Sequence, residues 1–249
     1  EDVPVSGDWN KDGVDTVGVF RPSTSTWYLR DVNSGDATMI FKFGHGPSGD
    51  IPVVGDWNKD GVDSVGVFRP SNSTFYLTNT NAAGSATTDY EFKFGHGPSG
   101  DRPVAGDWNG DGVDSVGVFR PGTSTWYLTN GTKVGSVSTD YEFKFGHGPS
   151  GDQAVAGDWN GDGTDSVGVF RPSISTWYLT NGTTVGSVST DYEFKYGHGP
   201  SGDIAVPGDW TADDTATDTP GVRRPGNNTV YLRNTNNAGP VDQQFIYGI

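Results

Sequence analysis

Between residues 103 and 145, apolar and β-branched positions come in four short runs, each closed by turn-forming residues. Pro103-Val104-Ala105-Gly106 is built from small residues. Val116-Gly117-Val118-Phe119-Arg120 follows, then Thr125-Trp126-Tyr127-Leu128-Thr129 after a turn at Pro121 to Ser124. Tyr141-Glu142-Phe143-Lys144-Phe145 alternates aromatic with charged residues. Runs of this length, rich in branched and aromatic side chains and bounded by Gly, Pro, Asn and Asp, predict four strands and no helix. The first run suits a crowded centre, and the fourth suits an outer strand with one solvated side.

The same pattern recurs five times. The leading residues of its acidic turn are Asp8, Asp56, Asp107, Asp158 and Asp209, a period of 48 residues once and 51 three times. Four graded strands per repeat in this range predict an all-β fold, a five-bladed β-propeller with four antiparallel strands per blade. The blades are expected at 1–48, 49–99, 100–150, 151–201 and 202–249, as a single domain, because no linker or shift in composition divides the repeats. The chain opens on a first strand and ends on a fourth, so the ring is expected to close by blade packing more than by an exchanged strand. Copies three and four differ at only 7 of 51 positions: 102/153, 103/154, 113/164, 122/173, 123/174, 133/184 and 145/196. The fifth has drifted further, with Arg223 in place of Phe20 and Val230 in place of Trp27.

Composition sharpens this reading. The formal charge is −15, from 31 acids against 16 bases, and about half the acids fall in the repeated turn. A chain so acidic is not expected to bind nucleic acid or anionic membranes, which both depend on Lys and Arg. No apolar stretch is long enough for a helical membrane span, so no membrane insertion is expected. No signal peptide stands in the chain, as expected of a mature or trimmed piece. There is no Cys, hence no disulfide or thiol chemistry.

The turn itself reads Asp-x-Asn-x-Asp-Gly, the opening of an EF-hand-like calcium loop. Oxygen ligands at its first, third and fifth positions and the carbonyl at its seventh wrap a hard cation, and Gly at the sixth allows the sharp bend. Those positions are Asp8, Asn10, Asp12 and Val14; Asp56, Asn58, Asp60 and Val62; Asp107, Asn109, Asp111 and Val113; and Asp158, Asn160, Asp162 and Thr164. The alternative is an Asp/Asn/Gly hairpin that needs no metal. Three carboxylates in each short loop repel one another without a cation, which favours calcium. The fifth copy, Asp209-Trp210-Thr211-Ala212-Asp213-Asp214, loses the Asn at its third position and the Gly at its sixth, gains two residues before Gly221, and is expected to be empty. Four Ca²⁺ would bring the charge from −15 to −7.

A strand, then Gly-Asp-x-Asn-x-Asp-Gly, then a strand ending Val-Phe-Arg-Pro, with Phe-Gly ahead of the next copy, resembles the FG-GAP/VCBS repeat family. That family builds propellers, integrin α heads among them, and binds calcium in the first hairpin of a blade. The resemblance implies the same here. One departure concerns the ninth loop position, usually Asp, where this chain has Thr16, Ser64, Ser115 and Ser166, with Asp15, Asp63, Asp114 and Asp165 one place earlier. Either that Asp swings in, or a hydroxyl or a water fills the gap.

In a propeller, the 2–3 and 4–1 connections share one face. His45, His96, His147 and His198 are therefore expected beside Arg21, Arg69, Arg120 and Arg171, with Trp27, Phe75, Trp126 and Trp177 just beyond. Such a rim could bind sugars, with rings stacked on C–H faces and polar groups bonding hydroxyls. Structural readings compete: aromatics packed between blades, each Arg paired with the loop Asp of the next unit (Asp50, Asp101, Asp152, Asp203), and each His holding a turn. The Trp of Gly-Asp-Trp (9, 57, 108, 159, 210) is read as core, and Asn72, Asn130, Asn181 and Asn228 as turn residues.

Nearly every reactive residue is duplicated in an equivalent setting, whereas catalysis needs groups whose environments differ, so no enzyme is expected. Repetition suits multivalent binding. The chain is expected to be an extracellular or cell-surface bacterial module, calcium-stabilised and lectin-like or adhesive, with a glycan or cell-surface protein as partner. The alternatives are a protein-interaction scaffold without a small-molecule ligand and, more remotely, a glycan-active enzyme.

Overall fold

The computed structural model describes residues 2–247 except 83, 133–134, 184–185 and 213–214. Five sheets, each of four consecutive antiparallel strands, stand in a ring. The first holds Val3–Gly7, Thr16–Arg21, Thr26–Leu29 and Met39–Lys42, and the third holds Arg102–Gly106, Ser115–Arg120, Thr125–Leu128 and Tyr141–Lys144. The second and fourth repeat that scheme from Ile51 and Gln153, and the fifth begins with the shortened strand Ile204–Ala205. The five first strands line a narrow central channel through residues such as Pro4, Pro52, Pro103, Ala154 and Ala205. This is the five-bladed propeller that the strand pattern predicts. Each blade is one repeat, with one addition. The outer strands of blades one to three each pair with a two-residue parallel strand from the next repeat (Gly84–Ser85, Gly135–Ser136 and Gly186–Ser187), which covers an otherwise open edge.

Strand alternation builds the core between blades. In the third blade Phe119, Trp126 and Phe143 are cross-strand partners on one face, and Val118, Tyr127 and Glu142 on the other. The first set packs on Val167 and Val169 of the next blade. Phe119 and Trp126 have ring centroids 4.7 Å apart. Burying one such Trp removes ~200 Å² from water, worth up to ~5 kcal/mol. The Trp of Gly-Asp-Trp is buried in all five copies, as its persistence suggests.

The last blade meets the first mainly through side chains, with no exchanged strand among the described residues. Val17 and Val19 share a core with Val230, Leu232 and Tyr247. The Tyr247 hydroxyl donates to the Tyr28 carbonyl (2.7 Å), and Arg223 donates to the Asp2 carbonyl (2.8 Å). The Arg30 guanidinium, fully buried, lies 3.6 Å above the Tyr247 ring. The drift of the fifth repeat thus has a physical content: Arg223 stands where other blades carry Phe because it reaches the chain's opening residues.

Candidate functional site

The acidic hairpins join the first two strands of each blade. In the first, the Asp8 carboxylate accepts the backbone amides of Asn10 (3.3 Å), Asp12 (3.1 Å) and Gly13 (2.8 Å). The Asp12 amide also donates to Asn10 Oδ1 (3.1 Å), and the Val14 amide to Asp12 Oδ1 (3.0 Å). The oxygens of Asp8 and Asn10 therefore converge on one N–H. The hairpins led by Asp56, Asp107 and Asp158 repeat this pattern. The fourth loop residue sits in the left-handed region: Lys11 and Lys59 at φ 62° and 61°, Gly110 and Gly161 at 70° and 73°. The Lys11 ammonium reaches the Asp60 carbonyl of the neighbouring loop.

The eighth loop position does not join these oxygens. Asp15, Asp63, Asp114 and Asp165 turn out of their own hairpins into the seam with the preceding blade. There Asp63 Oδ2 accepts the Asp8 amide (2.8 Å), Asp114 the Asp56 amide (2.7 Å), and Asp165 the Asp107 amide (2.8 Å). Asp218 does the same for Asp158 (2.8 Å), and Asp15 closes the circle on Asp209 (3.0 Å). The ninth-position hydroxyls are also turned inward: Thr16 donates to the Arg30 carbonyl, and Ser64 and Ser115 to the carbonyls of Gly55 and Gly106, while Ser166 is buried.

This corrects the crowding argument. Each loop gathers two carboxylates and one amide oxygen, and the third acid belongs to a half-buried ring that spans all five blades. Among the described residues no three or more His, Cys, Asp or Glu side chains form a metal-ligand group. In the fifth loop Asp209 accepts the Thr211 amide (3.1 Å); Asp213 and Asp214 lie outside the described residues.

Burial dominates the electrostatics of the ring. Desolvation, followed mainly by repulsion from neighbouring Asp residues, raises Asp15, Asp114 and Asp218 well above the usual carboxylate range. Asp63 and Asp165 are raised to about 7 by the same burial.

At the opposite connections, the histidine turn packs on the Arg-Pro turn as expected. Gly46 lies so close to Pro22 that an added Cβ would fall 1.7 Å from its carbonyl oxygen, and its amide donates to Ser25 Oγ (2.8 Å). His45, His96, His147 and His198 are exposed, each with Nδ1 2.6–2.7 Å from a Ser hydroxyl three residues on. Each Arg pairs with the Asp that opens its own blade, not with that of the next unit. Arg69 donates from Nε and Nη2 to Asp50 (2.8 and 2.9 Å), and Arg21, Arg120, Arg171 and Arg224 do likewise to Asp2, Asp101, Asp152 and Asp203. The guanidinium also lies 4.6–4.8 Å over a Tyr ring, in turn Tyr28, Tyr76, Tyr127, Tyr178 and Tyr231.

The aromatic set expected to meet ligand is a second correction. Trp27, Phe75, Trp126 and Trp177 are fully buried, and Trp126 donates its indole N–H to the Phe145 carbonyl (3.1 Å). The ring that reaches solvent is the Tyr next in sequence, on the other face of the strand. Three clefts of ≈ 520–560 Å³ open between blades two and three, three and four, and four and five. Each takes a Lys (93, 144, 195) from one blade and the Arg–Tyr pair (120/127, 171/178, 224/231) from the next. The histidines do not line them. The Lys and Tyr escaped the sequence reading, although strict alternation in Tyr-Glu-Phe-Lys and Thr-Trp-Tyr-Leu separates inward from outward positions.

The molecule is thus a five-bladed β-propeller carrying two sets of repeated features, acidic hairpins and inter-blade clefts. No protein-family model and no curated protein matches the chain. Among solved structures it is similar to a crystal structure of BBS1N in complex with ARL6DN, soaked with mercury, at 9% identity over 97% of this chain and 80% of that one, with a TM-score of 0.46. It is also similar to an Agrocybe aegerita lectin solved for specific recognition of non-reducing terminal N-acetylglucosamine, at 13% identity over 98% of this chain and 66% of that one, with a TM-score of 0.48. At these identities the likeness concerns the fold alone.

Proposed function

We propose that this propeller is a multivalent carbohydrate-binding or adhesion module that works outside the cell and takes saccharides in its inter-blade clefts. The carrying observation is the threefold recurrence of one cleft chemistry: an ammonium without an ion pair among the described residues, and a Tyr ring backed by an Arg–Asp pair. Such a ring can stack on a sugar's C–H face while the ammonium bonds hydroxyls, and repetition lets weak sites gain avidity. No catalysis is part of this reading, because the clefts repeat one set of groups in equivalent surroundings. A scaffold without a small-molecule ligand is the second reading, favoured by the Arg residues being already satisfied by Asp.

The hairpins fit a hard cation in part. Asp8, Asn10 and Asp12, with the Val14 carbonyl, and their equivalents in blades two to four would hold Ca²⁺, with water completing the shell. This is the FG-GAP/VCBS-like part of the proposal. Bound there, the ion would neutralise two carboxylates and stiffen the hairpin; it has no role in the clefts.

A glycan array in calcium buffer tests the module, repeated with Tyr127→Ala, Tyr178→Ala and Tyr231→Ala combined. Binding lost in the triple variant supports the clefts. An array without hits removes the lectin reading, and hits untouched by the variant move the site elsewhere.

A further inference from the structure

Each central strand begins at an equivalent place: Val3, Ile51, Arg102, Gln153 and Ile204 pair in turn with Phe20, Phe68, Phe119, Phe170 and Arg223. These five residues ring one mouth of the central channel, on the side of the histidine turns, and line a hollow of ≈ 530 Å³ there. That is within the range of small-molecule sites, about 300–1,000 Å³. Its wall is mainly apolar, completed by Pro4, Pro52 and Pro103, and none of its residues lines an inter-blade cleft.

Arg102 breaks the pattern of the five. Val3, Ile51 and Ile204 are aliphatic, and the Gln153 amide is committed to the next blade, donating to the Asp203 carbonyl (3.1 Å) and accepting the Ala205 amide (2.8 Å). Arg102 is exposed, and its guanidinium has no hydrogen bond or ion pair among the described residues. Every other arginine is engaged: five with the Asp that opens their own blade, Arg233 with Asp242, Arg223 with Asn228 and the Asp2 carbonyl, and Arg30 with the Tyr247 ring. Asp152 also borders the hollow, but its carboxylate is fully buried and holds Arg171. The hollow therefore presents one uncompensated positive charge beside an apolar wall, in a chain of formal charge −15.

We propose that this axial hollow is a binding site for a small aliphatic carboxylate, one per molecule. The charge selects an anion, and the wall selects an apolar body. A carboxylate meets the planar guanidinium of Arg102 through two parallel N–H···O bonds, a geometry that an ammonium does not offer. The body then lies against Val3, Ile51 and Ile204, which come from three different blades. A single site follows because only one of the five strands brings the cation. It is independent of the saccharide clefts and stands or falls without them.

The test is NMR titration of the full chain, labelled at its methyl groups, with hexanoate, acetate and hexanol at low salt. Hexanoate is expected to shift the methyls of Val3, Ile51 and Ile204. It should bind about tenfold or more tightly than acetate, which lacks the body, and than hexanol, which lacks the charge. Arg102→Ile and Arg102→Gln each install the residue of a sister copy, so both should keep the thermal midpoint while weakening hexanoate about tenfold or more. Arg102→Lys should recover only part of that loss. No hexanoate binding by the wild type, wild-type affinity in either the Ile or the Gln variant, or no gain of hexanoate over acetate overturns the assignment.

Discussion

Asp63 in the second blade accepts the backbone amide of Asp8 in the first at 2.8 Å, and its own amide donates to the Asp8 carbonyl at 2.9 Å. The same two-way clamp joins every neighbouring pair of blades, including the last and the first through Asp209 and Asp15. The ring is closed on this side by five half-buried Asp side chains, each turned into a seam between blades.

That arrangement has a pH signature. Burial lifts Asp63 from its ordinary 3.8 to about 7, and Asp165 likewise. Between these values the folded chain holds protons that the unfolded chain has released, so stability falls as pH rises through the window. Thermal unfolding in chelator should therefore give a higher midpoint at pH ~5 than at pH ~8. Asp63→Asn combined with Asp165→Asn keeps an acceptor for each facing amide and removes two of the charges, and should flatten the slope. A double variant with the wild-type slope would sink this account.

Calcium is tested by separating charge from hairpin geometry. Asp60→Asn retains an oxygen for the Val62 amide, which Asp60 now accepts at 2.9 Å, but removes one carboxylate from the proposed ligand set. The variant also gives up the exposed bond from Asn58 Nδ2 (2.9 Å), so its own midpoint in chelator is the reference, and from there it should gain less than the wild type from added calcium. One site at a hundredfold excess over its Kd contributes about 2.7 kcal/mol. A wild-type midpoint indifferent to calcium, with no calcium found by elemental analysis, removes the metal from the picture.

The reach of the sequence was set by what repeats and what does not. Period, strand count and turn chemistry are local, and the ring follows from them. The face on which a residue ends depends on one step along a strand, so Trp126 and Tyr127 exchange roles when only the neighbouring blade can say which side is covered. Asp63 is similar: its carboxylate lies next to a calcium-like motif in sequence, yet its partner is 55 residues away in another blade. The Arg–Asp pairing was legible as a pair but not as to which repeat supplied the acid, because both candidates carry the same Asp.

Asp101 shows how far that pair matters. Its side chain is fully buried, and it accepts Arg120 twice at 2.8 Å and the His96 amide at 2.6 Å. Arg120→Ala strands a buried carboxylate and is expected to cost about 2–4 kcal/mol, at the lower side of buried pairs because the Arg is partly exposed. Arg120→Lys should recover only part of this, since Lys cannot form the two-pronged contact or lie flat on Tyr127. Denaturant unfolding of both variants checks the order, and equal loss in the two would contradict it.

Tyr196 and Tyr247 occupy the same place in adjacent blades and give a paired prediction about closure. The Tyr247 hydroxyl is one of the few polar bonds between the last blade and the first, donated to the Tyr28 carbonyl, with Arg30 packed on the other side of the junction. Deleting it in Tyr247→Phe removes a buried hydrogen bond and leaves that carbonyl without its donor, so a loss of about 1 kcal/mol is expected. Tyr196→Phe removes a hydroxyl that bonds nothing inside the protein, and should be neutral or slightly stabilising. The same atom deleted twice should thus give opposite or unequal shifts in urea midpoint. If the two variants unfold alike, the Tyr28 contact contributes nothing to sealing the ring, and closure rests on the apolar packing of Val17, Val19 and Leu232 with the Asp15–Asp209 and Arg223–Asp2 bonds.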